Sequence, residues 1–100
     1  MKDDRYIGIH EDIYGGMTPA GALIKDAWVF GVLPENEDCK GWGYDQMLAL
    51  NEKVVIAWAP FGNMVSNLPP ELRARHTRIY DTAIAKARTL GWPPSLDDED

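Results

Sequence analysis

The pattern of apolar and polar positions predicts three helices, and the clearest of them runs from Asn67 to Leu90. Apolar side chains recur there every three or four residues, which is the stripe of a half-buried helix. The stripe consists of Leu72, His76, Ile79, Ala83, Ala87 and Leu90. Asn67 is expected to cap this helix, and Pro69 and Pro70 suit its first turn. A glycine followed by tryptophan and two prolines then stops it.

A second helix is predicted from Thr18 to Leu33, with the threonine as its N-cap and a proline at its first position. Its side chains are apolar almost all the way around, and Lys25 and Asp26 carry its only charges. A helix of this kind is either central to the core or buried by a partner. The run from Trp28 to Phe30 also resembles a strand, so that alternative stays open.

A third helix is expected from about Tyr44 to Ala59, where Pro60 closes it. Its apolar positions follow helical spacing: Met47, Leu50, Val54, Ala57, Trp58 and Phe61. The run from Val54 to Trp58 is rich in β-prone residues, which leaves a strand as the alternative there.

The residues outside these helices predict an N-terminal arm and a C-terminal tail. Residues 1–17 contain the β-prone runs 6–9 and 13–14, which favour an extended arm or a short hairpin. Residues 93–100 are polar and acidic and predict a disordered tail. The chain therefore predicts a mainly α fold with one small three-helix domain over residues 1–92. The alternative is an α+β fold with a small sheet.

Charge and composition narrow the classes of partner. The 100 residues carry a net charge of −6, although residues 71–90 are net basic. An acidic chain is a poor candidate for binding nucleic acid, because phosphate affinity comes mainly from lysine and arginine. The first residues lack the apolar core of a secretory signal, and the stretch Ala27–Pro34 is too short to span a bilayer. We therefore expect a cytoplasmic protein that does not bind membranes.

The sequence contains no motif specific enough to identify a reaction. His10 and Asp12 form an acid–histidine cluster, and His76 could supply a third ligand from the last helix. Imidazole and carboxylate groups can bind a divalent metal or share a proton, but a metal site needs three or four converging ligands. A polar turn at the surface is the simpler interpretation of the cluster. We predict no catalytic residue and no cofactor.

Aromatic and basic side chains at the helix edges are the candidate partner-binding residues. They are Trp28, Trp42, Tyr44, Trp92, Arg75 and Arg78. Aromatic residues at such positions either cover the core or form an anchor for a partner. The sequence thus favours a protein-interaction or accessory module without catalytic activity, which binds another protein or forms a homodimer. The alternative is a small metal-dependent or acid–base enzyme that uses His10, Asp12 and His76.

Overall fold

A computed structural model describes residues 5–92, which form a mainly α domain, as the sequence predicted. Its helices are α1 (Pro19–Val29), α2 (Tyr44–Trp58) and α3 (Pro70–Thr89). Short 3-10 turns precede α1 at Ile9–Glu11 and Ile13–Gly15, and two more connect α2 to α3 at Ala59–Phe61 and Val65–Asn67. Within the described part of the chain there is no strand, and no helix is long and apolar enough to cross a membrane. The tail predicted at 93–100 and the first four residues of the arm lie outside the described residues.

Helix α1 is the central element, because it packs against both α2 and α3. The Thr18 side chain caps it by accepting a hydrogen bond of 3.0 Å from the Gly21 N–H, as predicted. The helix ends at Val29, four residues earlier than expected. Gly31 then takes a left-handed conformation with φ of 73°, which turns the chain away from the helix axis. The strand alternative for this segment is wrong, since Trp28 and Val29 are helical.

Of the two forms predicted for the N-terminal arm, an extended arm or a short hairpin, the hairpin does not form within residues 5–17. Residues 6–9 pair instead with the loop at 38–42, through backbone hydrogen bonds of 2.8 to 3.0 Å. The second β-prone run folds into a 3-10 turn, because the Asp12 carboxylate accepts a hydrogen bond of 2.7 Å from the Ile13 N–H. This local bond offers the backbone an alternative to strand pairing.

The core lies where the arm, α1, α2 and the 38–42 loop meet. Its buried members are Ile9, Ile24, Ala27, Cys39, Leu50 and Val54. Half-buried aromatic side chains surround them, including Tyr6, Trp28, Trp42 and Trp58. The apolar stripe predicted for α2 is therefore confirmed at its two central positions.

The predicted cap of α3 is wrong. Asn67 lies in the preceding 3-10 turn, where its side-chain amide donates a hydrogen bond of 2.9 Å to the Phe61 carbonyl. The helix begins at Pro70 after Pro69, which has no side chain that could cap it. Proline already has the φ value of a first helical turn and lacks the N–H that a cap would satisfy. Two consecutive prolines thus start the helix without a cap.

The apolar stripe of α3 is buried in its middle and exposed at its end. Ile79 and Ala87 are buried, as predicted. Leu90 is 52% exposed, which contradicts its place in the predicted stripe. It is the C-cap residue, where the chain leaves the helix geometry that would have kept it on the buried face.

We expect Ile79→Ala to lower the free energy of unfolding by about 2–5 kcal/mol, the usual cost of truncating a buried isoleucine. Ile79 is only 5% exposed. Leu90→Ala is the matched control, and it should cost under about 1 kcal/mol because that side chain is already half in water. Urea unfolding followed by tryptophan fluorescence gives both values. Equal losses for the two variants would contradict the burial of the α3 stripe.

Candidate functional site

An open groove of about 770 Å³ runs between α1 and the first half of α2. None of the residues that line it is charged. They are Tyr6, Pro19, Ala20, Leu23, Trp42, Gly43, Tyr44, Met47, Leu48 and Asn51. The arm and the 38–42 loop hold one part of the wall in place, since the Tyr6 N–H donates a hydrogen bond of 2.8 Å to the Trp42 carbonyl. We call this feature the α1–α2 groove.

Beside the groove, α2 presents a row of exposed side chains, which we call the α2 ridge. It consists of Tyr44, Leu48, Asn51 and Val55, whose spacing of four, three and four residues places them on one face of the helix. Tyr44 is 75% exposed, Leu48 45% and Val55 57%. Three of the four ridge residues also line the groove. Groove and ridge therefore form one continuous uncharged surface.

The α2 ridge exists because α2 carries two apolar faces. Leu50 and Val54 are buried in the core, while the ridge lies on a neighbouring face that no other described element covers. The single apolar stripe predicted for α2 from the sequence does not include Leu48 and Val55. The signal was present in the run from Val54 to Trp58, where the apolar positions are too many for one face of a helix.

Of the aromatic residues predicted to bind a partner, two lie together at this surface. Trp42 is half-buried in the groove wall, and Tyr44 is exposed on the ridge. Trp28 lies elsewhere, where its indole N–H donates a hydrogen bond of 3.1 Å to the Glu37 carbonyl. Trp92 is half-buried just after α3. Two of the four aromatic residues predicted to bind a partner therefore lie at this surface, and two lie elsewhere.

The two arginines predicted to bind a partner are both engaged within the chain. Arg75 donates a hydrogen bond of 3.0 Å to the Val29 carbonyl at the end of α1. Arg78 forms a two-bond ion pair with Glu35, at 3.0 and 2.9 Å, and these hydrogen bonds lower the pKa of the Glu35 carboxyl. Both arginines therefore fasten α3 to the end of α1 and the loop after it.

Asp12 is occupied by neighbouring hydroxyl groups. The Tyr6 and Thr18 hydroxyls each donate a hydrogen bond of 2.6 Å to one of its oxygens. Burial alone would raise the pKa of Asp12, but these hydrogen bonds, the one from the Ile13 N–H and the charge of Lys25 together lower the pKa. The carboxylate therefore ties the arm to the start of α1.

The two histidines that could have completed a metal site lie in different surroundings. His10 is exposed, with its Nδ1 atom 3.4 Å from the Lys86 amine. The His76 ring stacks on Tyr80, with centroids 4.4 Å apart, and meets the edge of Trp58. Among residues 5–92, no group of three or more histidine, cysteine, aspartate or glutamate side chains is placed to hold a metal ion. The structure does not bring the three predicted ligands together.

Lys25 is a buried cation that the sequence analysis did not single out. It is 2% exposed, and its amine donates a hydrogen bond of 2.8 Å to the Gly16 carbonyl. The amine also lies 5.6 Å from the centre of the Tyr80 ring. Burial lowers the pKa of Lys25, whereas the carboxylates of Asp26 and Asp12 act in the opposite direction. Lys25 therefore supplies the positive charge between two partly buried carboxylates.

Asp26 joins all three helices. Its Oδ1 atom accepts a hydrogen bond of 2.5 Å from the Tyr80 hydroxyl on α3, and its Oδ2 atom accepts one of 3.1 Å from the Trp58 indole on α2. Burial, together with the hydrogen bond to Asp26, raises the pKa of Tyr80. Lys25 and Asp26 are adjacent charged residues in an otherwise apolar helix. This feature of the sequence could have indicated a buried polar network.

The surface formed by the groove and the ridge is suited to binding by burial of apolar side chains. Its polar groups, among them the Asn51 amide and the Tyr44 hydroxyl, can orient a ligand without attracting a charge.

No family model, curated protein or solved structure matches this chain.

Proposed function

We propose that the protein is an interaction module without catalytic activity of its own, and that it binds the apolar face of a helix of a partner protein in the α1–α2 groove. The observation that carries this proposal is the uncharged groove beside the exposed α2 ridge. Contiguous exposed apolar surface on a small protein commonly marks an interaction site. Covering it removes apolar area from water, which favours binding.

The shape of the groove favours a helix as its occupant. On α2 the lining residues Tyr44, Met47, Leu48 and Asn51 follow the spacing i, i+3, i+4 and i+7. Such a row forms one wall of a groove that accepts the matching row of another helix. Pro19, Ala20 and Leu23 of α1 supply the opposite wall.

The residue types in the groove match those that dominate binding energy at protein interfaces. Tyrosine and tryptophan are enriched among such residues, and the groove contains Tyr6, Trp42 and Tyr44. Met47 adds a flexible side chain that can adapt to the shape of a partner. Ala20 has a small side chain and Gly43 has none, so the lining leaves space for a partner at these two positions.

Photo-crosslinking in the cell that makes the protein tests this proposal. Tyr44 is replaced by p-benzoylphenylalanine, and Ala85, which is exposed on α3, carries the same replacement as the control. We expect position 44 to yield a discrete adduct whose crosslinked peptide belongs to an amphipathic helix. Adding Leu48→Asn should remove this adduct, because it takes an apolar contact from the groove without adding a charge.

A matched second variant separates groove binding from a general loss of folding. Leu90→Asn changes an exposed leucine of comparable exposure, 52% against 45%, at the end of a different helix. It should leave the adduct at position 44 intact. Equal yields at positions 44 and 85, or equal loss with both leucine variants, would overturn the proposed function.

A further inference from the structure

We infer that the helix bound in the α1–α2 groove is cationic, with lysine or arginine along one edge of its apolar stripe. This inference rests on the proposed function and adds the chemical class of its partner. It follows from the charges beside the α2 ridge. The groove lining contains no charge, so the charge preference of the surface is set by the residues next to it. The Arg5 guanidinium lies at the Gly43 end and donates a hydrogen bond of 2.9 Å to the Gly41 carbonyl, so the preference for a cation concerns the edge along the α2 ridge.

Asp45 and Glu52 form the charged border of the α2 ridge. Glu52 follows Leu48 by four residues and precedes Val55 by three, so it is a direct neighbour of both ridge residues on the helix surface. Asp45 lies seven residues before Glu52, two turns away on the same side. Both carboxylates are exposed. The nearest lysine on α2, Lys53, lines a different cavity on the other side of the helix.

These two carboxylates are free to meet a partner. Within residues 5–92 the ion pair that forms is Arg78–Glu35, and neither Asp45 nor Glu52 takes part in one. Asp45 also lies in the first turn of α2, where a negative charge stabilises the helix. Glu52, in the middle of the helix, has no such role. Helix stability therefore does not explain both carboxylates.

The spacing of the border predicts the spacing on the partner. Seven residues of helix span about 10 Å, so a helix lying along the ridge would meet the two carboxylates with cations seven residues apart. The ridge from Tyr44 to Val55 extends over about 17 Å, which matches an apolar stripe of three turns. Attraction from a protein with a net charge of −6 would also speed the encounter.

A second copy of this chain fits the groove less well than a cationic helix does. In an antiparallel two-fold pair of α2 ridges, the same flank of each helix faces its copy. The border with Asp45 and Glu52 would then lie beside the partner's own acidic border, and like charges would oppose each other. The basic residues Arg75 and Arg78 of α3 do not offer an alternative, because both are bonded within their own chain.

Two synthetic helical peptides of about 18 residues test the inference. They share one apolar leucine–alanine stripe and differ at the flanking positions, which are lysine in one and glutamate in the other. We expect the purified full-length protein to bind the lysine peptide at least about tenfold more tightly in isothermal titration calorimetry. Raising the salt concentration from about 0.05 to 0.5 M should narrow this difference, because exposed charges are screened.

Two pairs of matched variants locate the binding. Asp45→Asn with Glu52→Gln should weaken lysine-peptide binding at low salt by at least about threefold, the scale of two exposed charge contacts. Glu71→Gln with Asp81→Asn removes the same charge from exposed positions of α3 and should leave binding unchanged. Leu48→Asn should weaken binding by at least about tenfold, as loss of a central apolar contact does, while Leu90→Asn should not.

The outcomes separate this inference from the proposed function. Equal affinity for both peptides, with loss of both in Leu48→Asn, overturns the cationic partner and leaves the groove as a binding site. A protein that sediments as a dimer, and becomes a monomer in Leu48→Asn, has a second copy in the groove and also overturns the inference. Lysine-peptide binding that is equally sensitive to the α2 and α3 charge variants is general attraction and overturns it as well. Absence of binding to either peptide by a monomeric protein overturns both proposals.

Discussion

Gly21→Ala is expected to destabilise the domain by about 3 kcal/mol, the upper range for forcing an extra carbon into a packed site. In an exposed helix the same change stabilises by about 1 kcal/mol, so the expected sign is reversed. A Cβ atom on Gly21 would lie 1.9 Å from the Gly16 carbonyl oxygen and 2.6 Å from its carbon. These are backbone atoms, and the Lys25 amine donates a hydrogen bond of 2.8 Å to the same oxygen.

Gly43→Ala is the control for this prediction. A Cβ atom at Gly43 would have the Arg5 guanidinium at 3.9 Å as its nearest neighbour, which is ordinary contact. Because alanine is a poorer N-cap than glycine, we expect a loss of under about 1 kcal/mol there. Urea unfolding measures both variants. If Gly21→Ala costs no more than Gly43→Ala, the close approach of α1 to Gly16 is not a constraint on the fold.

Asp26→Leu is expected to lower the free energy of unfolding by about 3–5 kcal/mol, the range for breaking a buried charged network by removing one partner. The change leaves the Trp58 indole N–H without its acceptor and takes from the Tyr80 hydroxyl the closer of its two, so that only the Ala22 carbonyl at 3.3 Å remains. It also removes a carboxylate that supports the charge of buried Lys25. Asp26→Asn keeps one acceptor oxygen of the same size and should cost roughly half as much.

A double-mutant cycle with Tyr80→Phe tests the mechanism of this loss. In the natural background Tyr80→Phe removes a hydrogen bond and should destabilise by about 1–2 kcal/mol. In the Asp26→Leu background the hydroxyl keeps only its longer hydrogen bond of 3.3 Å to the Ala22 carbonyl, so removing it should cost less than in the natural background. The coupling between the two positions should therefore reach about 0.5–2 kcal/mol. Purely additive losses would show that the two side chains act separately.

The sequence predicted the helices well where several local signals agreed. Thr18 followed by proline predicted the first residue of α1 correctly, because capping depends only on residues that are neighbours in the chain. The prediction of Asn67 as a cap failed because Pro69 and Pro70 begin α3 without needing one. The prediction of a hairpin at the N-terminus failed because Asp12 forms a local turn, and because the arm pairs with a distant loop.

The candidate site was predicted only in part, for a different reason. Trp42 and Tyr44 were identified as aromatic residues at a helix edge, and both lie at the groove. Leu48 was missed because a helical period shows which residues share a face but not which of two apolar faces enters the core. Lys25 was missed because a charge is normally expected at the surface. Its burial depends on the Gly16 carbonyl, which only the fold brings within reach.

The position of Cys39 makes this residue a reporter of structural opening. The side chain has no exposed surface, and burial, with the charges of Glu37 and Asp38, raises the pKa of its thiol to about 12. Alkylating reagents attack the thiolate, so the folded protein is protected both by lack of access and by lack of the reactive form. The rate at which iodoacetamide labels Cys39 therefore reports how often the core around the 38–42 loop opens. The same protection keeps concentrated native protein from forming disulfide-linked pairs in air.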